Sequence, residues 1–181
     1  MSRRPEPMAE TINGTIDEIL RKRAARYSEA PIKAVVSRSL GDFVGCRIAG
    51  QSIGLPMNVV EEFAPLLVFT PLPGIEGVLG VTQLRGEFLS VLDLGKLLLG
   101  KAMTGAALMV VLSTPSGRSA ALVDEILGKR PIFESDLLPE SQVALPGPAF
   151  VAMTRELWAL VDASRLARLL DHAALPAHSD T

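Results

Sequence analysis

The segments EFLSVLDLGKL at 87–97 and ELWALVDASRL at 156–166 are built on one plan. Glu87 corresponds to Glu156, Asp93 to Asp162, Lys96 to Arg165 and Leu97 to Leu166. Each segment is an apolar alternating run, then Asp, then a short run with helical character. A second correspondence lies upstream of each: Gly50 falls on Gly117, Ser52 on Ser119 and Leu55 on Leu122. A chain that repeats a plan in this way is constrained to two similar modules. With 181 residues in all, each module is too small to bury a comfortable core alone, so the two are expected to share one at their junction.

The local signals are mostly β. DFVGCRIAGQSIGLPM reads as two strands around Ala49-Gly50-Gln51, with Gly50 supplying the positive φ of the turn. Residues 64–74 contain Pro65, Pro71 and Pro73 and read as a connector. Residues 77–84 and 87–92 make a hairpin with Arg85-Gly86 at its tip, and Asp93 caps a short helix, LGKLLL, that stops at Gly100. AALMVVL, a turn at Thr114-Pro115-Ser116-Gly117, and SAALVDEIL follow. Residues 134–148 form a proline-bearing loop, AFVAM and LWALV a last hairpin, and 163–170 a last helix. Many short strands at close spacing predict barrels or sandwiches rather than a parallel α/β sheet.

The first 14 residues have no periodicity and read as a flexible tail. Thr15 and Glu18 then form a T-x-x-E start, and Ile16, Ile19, Leu20, Ala24 and Tyr27 recur at helical spacing. A helix over 15–30 is therefore expected, closed by Pro31. It either packs on its own domain or docks a partner. Residues 172–181 read as a flexible C-terminal tail.

Composition restricts the function classes. Eighteen basic residues against twenty acidic ones give a net charge of −2, and no basic excess marks a nucleic-acid binder. Cys46 is the single cysteine, so neither an intrachain disulfide nor a cysteine metal cluster is expected. Aromatic residues make up 4% of the chain against 48% for all hydrophobic residues, so the core must be built from Leu, Val, Ile and Ala. No apolar stretch has the length and purity of a membrane span, and MSRRPEPMAE lacks the apolar core of a secretory signal. The expectation is a cytoplasmic protein. His172 and His178 both lie in the last ten residues, which argues against a histidine-centred catalytic site, and no phosphate-cradling glycine motif is present. Neither a cofactor nor a metal is called for. The acidic pairs Glu61-Glu62 and Asp124-Glu125 end apolar strands. Since neighbours on a strand point to opposite faces, neither pair should form a two-carboxylate site by itself.

The run GVLGVTQLRGEFLSVLDL at 77–94 closely resembles the signature of CheW-like domains: an apolar strand, an L-R-G turn and a V-x-D-L strand. ALVDEIL at 121–127 resembles a second signature of that family, IGLPMNVVEEF at 53–63 the segment before the first, and PLPGIEG at 71–77 the connector. The resemblance spans about residues 40–171. Gln83 stands where the family commonly has Asn, and Gly95 where Arg or Lys often follows V-x-D-L. The resemblance implies two tandem five-stranded SH3-like β-barrel subdomains, interleaved near residues 100 and 150, with short helices and the N-terminal helix as an extension. It implies a non-catalytic adaptor without a cofactor. Such an adaptor couples the cytoplasmic tips of chemoreceptors to the regulatory domain of a CheA-type histidine kinase, and reaches the membrane only through the receptors. Matching residue by residue, it implies receptor contacts at Val59, Glu61, Arg85 and Gly86, with Glu61 and Arg85 forming an ion pair. It implies kinase contacts around Val123, Asp124, Glu125, Ile126 and Leu127.

Taken alone, Arg85 reads equally as an exposed turn charge. Three functions are therefore compared: the receptor–kinase adaptor, in chemotaxis or in a pilus, gliding or other receptor–kinase pathway; a small-ligand pocket or enzyme in the groove between the barrels; and an oligomeric structural protein assembled through the 15–30 helix.

Overall fold

A computed structural model describes residues 37–66, 68–106, 108–115 and 117–173. The expected tail over 1–14 and helix over 15–30 lie outside the described residues, as does most of the C-terminal tail. The described residues from 37 to 173 form one compact unit.

The class is mostly β with short helices, as expected. The strands are β1 (Ser39–Ile48), β2 (Gln51–Pro56), β3 (Val60–Pro65), β4 (Phe69–Pro71), β5 (Val78–Leu84), β6 (Glu87–Leu92), β7 (Leu108–Thr114), β8 (Gly117–Val123), β9 (Glu125–Phe133), β10 (Phe150–Met153) and β11 (Ala159–Val161). Helix α1 (Leu94–Leu99) follows β6 and α2 (Ala163–Ala173) follows β11. One sheet has the order β10-β11-β2-β1-β9 and the other β3-β7-β8-β6-β5-β4.

The two sheets interleave the halves of the chain. The hairpin β1–β2 joins the sheet of β9, β10 and β11, and the hairpin β7–β8 joins that of β3 to β6. Each hairpin is held by a short parallel pairing on one strand, Ala159 with Ile53 and Leu160 with Gly54, or Ser90 with Ser119 and Val91 with Ala120, and by an antiparallel pairing on the other, β1 with β9 or β7 with β3. Neither barrel subdomain can therefore form from one half of the chain.

The core follows from this exchange. A shared cluster takes Val44, Cys46 and Ile48 from β1, Ile53 and Leu55 from β2, Val110 and Leu112 from β7, Ala121 and Val123 from β8, Leu94 and Leu98 from α1, and Leu166 and Leu170 from α2. The six-stranded sheet fills its own interior with Leu89, Val91, Met109, Val111, Ala120 and Leu122. The five-stranded sheet fills its interior with Phe43, Ile132, Trp158 and Leu160. Both glycines of this second interior are needed there: a Cβ on Gly45 would sit 2.4 Å from the Trp158 ring and one on Gly54 2.6 Å from Leu160.

The repeated Asp is structural in both copies. Asp93 is buried and accepts from the backbone N–H of Lys96 at 2.9 Å and of Met103 at 3.0 Å, so it caps α1 and pins the following loop. Asp162 accepts from the N–H of Arg165 at 2.9 Å. The Arg165 guanidinium then donates to the carbonyls of Pro148 and Phe150.

Three expectations are corrected. SAALVDEIL is not one strand: the ladder breaks at Asp124, and the chain passes from the six-stranded sheet (β8) to the five-stranded one (β9). The proline-bearing connector contains a short edge strand, β4, paired to β5. Helix α2 runs on to Ala173 instead of ending at Leu170, because Leu166, Leu170 and Ala173 continue one buried face.

Candidate functional site

The hairpin β5–β6 turns on Arg85 (φ 51°) and Gly86 (φ 88°). Two successive positive φ values define the type I′ geometry that matches strand twist, and Gly86 enters that region without cost. The turn holds the Arg85 side chain outward, 78% exposed. Its guanidinium forms an ion pair with Glu62 on β3, Nη2 to Oε2 2.7 Å. The expected partner, Glu61, lies elsewhere: it accepts from Arg118 Nε on β8 at 2.7 Å. The Glu61–Arg85 ion pair is therefore replaced by Glu62–Arg85.

A β-bulge is the cause. Val60 pairs with Leu112 and Glu62 with the next residue, Val111, so β3 spends an extra residue at Glu61. Beyond the bulge, Glu62 shares the sheet face of Val111 and of the six-stranded interior. The acidic pair does not form a site by itself: a residue of another strand, Arg118, draws both carboxylates toward one cation. Arg118 bonds Glu61 and lies 4.0 Å from Glu62. Arg118 also bonds Glu87 at the start of β6.

The result is a charged rim over one barrel: Glu61 and Glu62 from β3, Arg118 from β8, Glu87 from β6 and Arg85 from the hairpin tip. Three carboxylates face two guanidinium groups. The hydrogen bond to Glu61, with the charges of Glu61 and Glu87, holds Arg118 even more firmly protonated than an ordinary arginine. The side chains of Arg118 and Glu62 are mostly covered, whereas Arg85 stands clear. Sequence reasoning missed Glu62, Glu87 and Arg118, because the bulge and the pairing of β8 beside β6 are tertiary facts.

Val59 is also corrected. It is 7% exposed and belongs to the shared core, so it presents no side-chain surface of its own beyond a flank. That flank lies in a groove of about 700 Å³ between the β7–β8 turn and α2. Asn58, Ser113 and Thr114 form one wall, and Ala163, Ser164, Ala167 and Arg168 the other. Small residues on the α2 wall leave room for a close-packed helix. Thr114 is tied across to Asp171 at 3.3 Å.

The second set of expected contacts divides by burial. Val123 is wholly buried in the shared core and is unavailable to a partner, because it ends β8 beside the buried Ala121, with the partly buried Leu108 opposite it on β7. Asp124 is half-buried and accepts weakly from the Gly50 N–H at 3.5 Å. Glu125 is exposed and pairs with Arg47 at 3.2 Å. Ile126 is 38% exposed, and Leu127 packs against the five-stranded interior. Only Glu125 and Ile126 of this set offer side chains freely to solvent.

The mouth of the five-stranded barrel is different. Arg130 lies 4.3 Å over the Trp158 ring and pairs with Glu156 at 2.6 Å. Glu156 is the repeat counterpart of Glu87, so both barrels close on an Arg–Glu contact, with the arginine drawn from β8 in one and β9 in the other. Among the described residues no group of His, Cys, Asp and Glu could hold a metal ion, and no helix is long and apolar enough to cross a membrane.

The fold is thus two interleaved barrels, with a charged rim on the six-stranded one and a groove between its β7–β8 turn and α2. The family model of the CheW-like domain matches residues 42–179, and the chain belongs to that family, whose members are non-catalytic scaffolds. Protein FrzA of Myxococcus xanthus is 34% identical over 115 residues, covering 61% of this chain and 72% of FrzA. The crystal structure of the scaffolding protein TtCheW from Thermoanaerobacter tengcongensis matches with a TM-score of 0.56 and 24% identity, over 67% of this chain and 88% of that one.

Proposed function

We propose that the protein is a cytoplasmic adaptor that couples chemoreceptor tips to a CheA-type histidine kinase. The observation that carries this reading is the rim-and-groove arrangement on the six-stranded barrel. Arg85 projects from a rigid turn, oriented by Glu62, at the side of the barrel from which β3 leads back through Val59 to the groove. A receptor tip is a helical hairpin. The groove supplies small residues for its close approach, and the Arg85 fork supplies directional hydrogen bonds and charge. Glu62 takes the part beside Arg85 first assigned to Glu61, Val59 contributes its flank in the groove, and Arg85 and Gly86 are retained. On the five-stranded barrel, Glu125 and Ile126 are the residues of the second signature open to the kinase regulatory domain.

The test is capture of a chemoreceptor cytoplasmic fragment and of a kinase regulatory domain from the same organism, each alone and together. Binding of both, simultaneously, is the expected result. Capture of neither, by protein that unfolds cooperatively, overturns the adaptor reading.

A further inference from the structure

Arg118 is not explained by the recognition rim as the sequence described it. It sits between two carboxylates that would otherwise compete for Arg85. Its Nε bonds Glu61 at 2.7 Å, its Nη1 bonds Glu87, and its Nη2 stands 4.0 Å from Glu62. Glu87 follows Arg85 by two residues across the same turn, and Glu61 is the immediate neighbour of Glu62. Among the described residues Arg85 makes its ion pair with Glu62 only.

We propose that Arg118 is a positioning residue: by holding Glu61 and Glu87 it leaves Glu62 as the carboxylate open to Arg85, and so sets the direction in which Arg85 presents its guanidinium to a partner. This rests on the adaptor reading above. The physical reason is competition. An arginine fork donates along fixed directions, so an arginine that already spans two carboxylates orients both and offsets their charge, which makes each a weaker competitor for Arg85. Without Arg118 the rim holds three carboxylates and one cation. Glu61, Glu62 and Glu87 then repel one another, and Arg85, on an exposed turn, is drawn toward whichever relieves most charge. The side chain would populate several directions, and a partner requiring one of them would bind more weakly. Arg118 also links β8 to β3 and to β6, so the choice is made by strands from both halves of the chain.

The experiment compares the Arg118→Met variant with a triple variant, Arg118→Met/Glu61→Gln/Glu87→Gln, and with the double variant Glu61→Gln/Glu87→Gln. Binding to a soluble chemoreceptor tip fragment and the melting temperature are measured for each. Arg118→Met is expected to weaken binding by about twofold to thirtyfold, the span carried through a neighbouring side-chain network. The triple variant should recover binding, because the competing carboxylates have gone with their holder. A structural contribution to the rim would not be recovered by removing two more groups. Wild-type affinity in Arg118→Met overturns the proposal, as does a folded triple variant that stays weak. If Arg118→Met does not fold, the double variant decides: near-wild-type binding supports the proposal, and loss of binding shows that Glu61 or Glu87 touches the partner and overturns it. Arg85→Glu separates the two levels. If it too binds as wild type, the adaptor reading of this rim fails; if it alone loses binding, only the role of Arg118 fails.

Discussion

Glu62 and Arg85 meet at 2.7 Å although β7 and β8 stand between β3 and the β5–β6 hairpin in the order of the sheet. The contact therefore spans the mouth of the curled sheet and does not run along a ladder. It joins a bulged strand to a type I′ turn, two places where the backbone departs from regular pairing.

Because Arg85 is mostly exposed, its ion pair should matter little to folding, about 0–1 kcal/mol. Arg85→Glu is expected to shift the melting temperature only slightly while reducing receptor binding markedly. Combining it with Glu62→Arg should recover part of the binding if orientation of the pair is what matters. No recovery would mean that Arg85 touches a receptor carboxylate directly. Titration of a receptor tip fragment against the three proteins checks this.

Ile126 tests the other barrel. Its side chain is partly open, whereas Val123, three residues earlier, is sealed in the shared core. Ile126→Asp should leave thermal unfolding cooperative and near the wild-type midpoint, and should weaken capture of the kinase regulatory domain. Val123→Asp should instead unfold the protein, since an unpaired carboxylate would enter the core. A comparison of circular dichroism melts with pull-down yields distinguishes the two outcomes.

Gly45→Ala probes the packing of the five-stranded barrel. The added methyl would meet the Trp158 ring at 2.4 Å, so the ring or β1 must move. Overpacking of this kind costs about 1–3 kcal/mol. Trp158 is the only tryptophan, so its emission should shift toward the red in the variant if the ring is displaced toward water, with a parallel loss of stability in denaturant. Unchanged emission and midpoint would show that the interior relaxes freely.

Cys46 gives a pH-dependent prediction. Burial pushes its thiol up to about 12, well above the ordinary thiol range. The folded-state value is the higher one, so the unfolded chain releases the proton first. The stabilising contribution is complete below the unfolded value and is lost as pH rises toward the folded one. At pH 8 the native thiol should react with a disulfide reagent only through opening of the core. The reaction rate should therefore rise with denaturant and fall with stabilising mutations. Rapid, denaturant-independent labelling would place Cys46 at the surface.

Much of the fold was legible in the residues. Asp93, LGKLLL and Gly100 marked a capped six-residue helix, and Arg85-Gly86 marked a turn, because caps and turns depend on neighbours a few residues apart. The repeated plan at 87–97 and 156–166 announced two modules with a common core. The same local logic placed Arg85 and Gly86 at an exposed tip.

What the sequence left open is where each half finds its sheet partners and which acid meets which base. Alternation along a strand assigns side chains to faces only while the register is regular, and the bulge at Glu61 breaks it, so Glu62 and not Glu61 reaches Arg85. Val59 and Val123 carry no local mark that separates a core valine from an exposed one; their burial follows from the exchange of hairpins between halves. Arg118 reaches Glu61 and Glu87 only because β8 lies between β7 and β6. Local propensity is decided by a handful of adjacent residues. Pairings between residues far apart in the chain are decided by the packing of the whole, and the charged rim is made of such pairings.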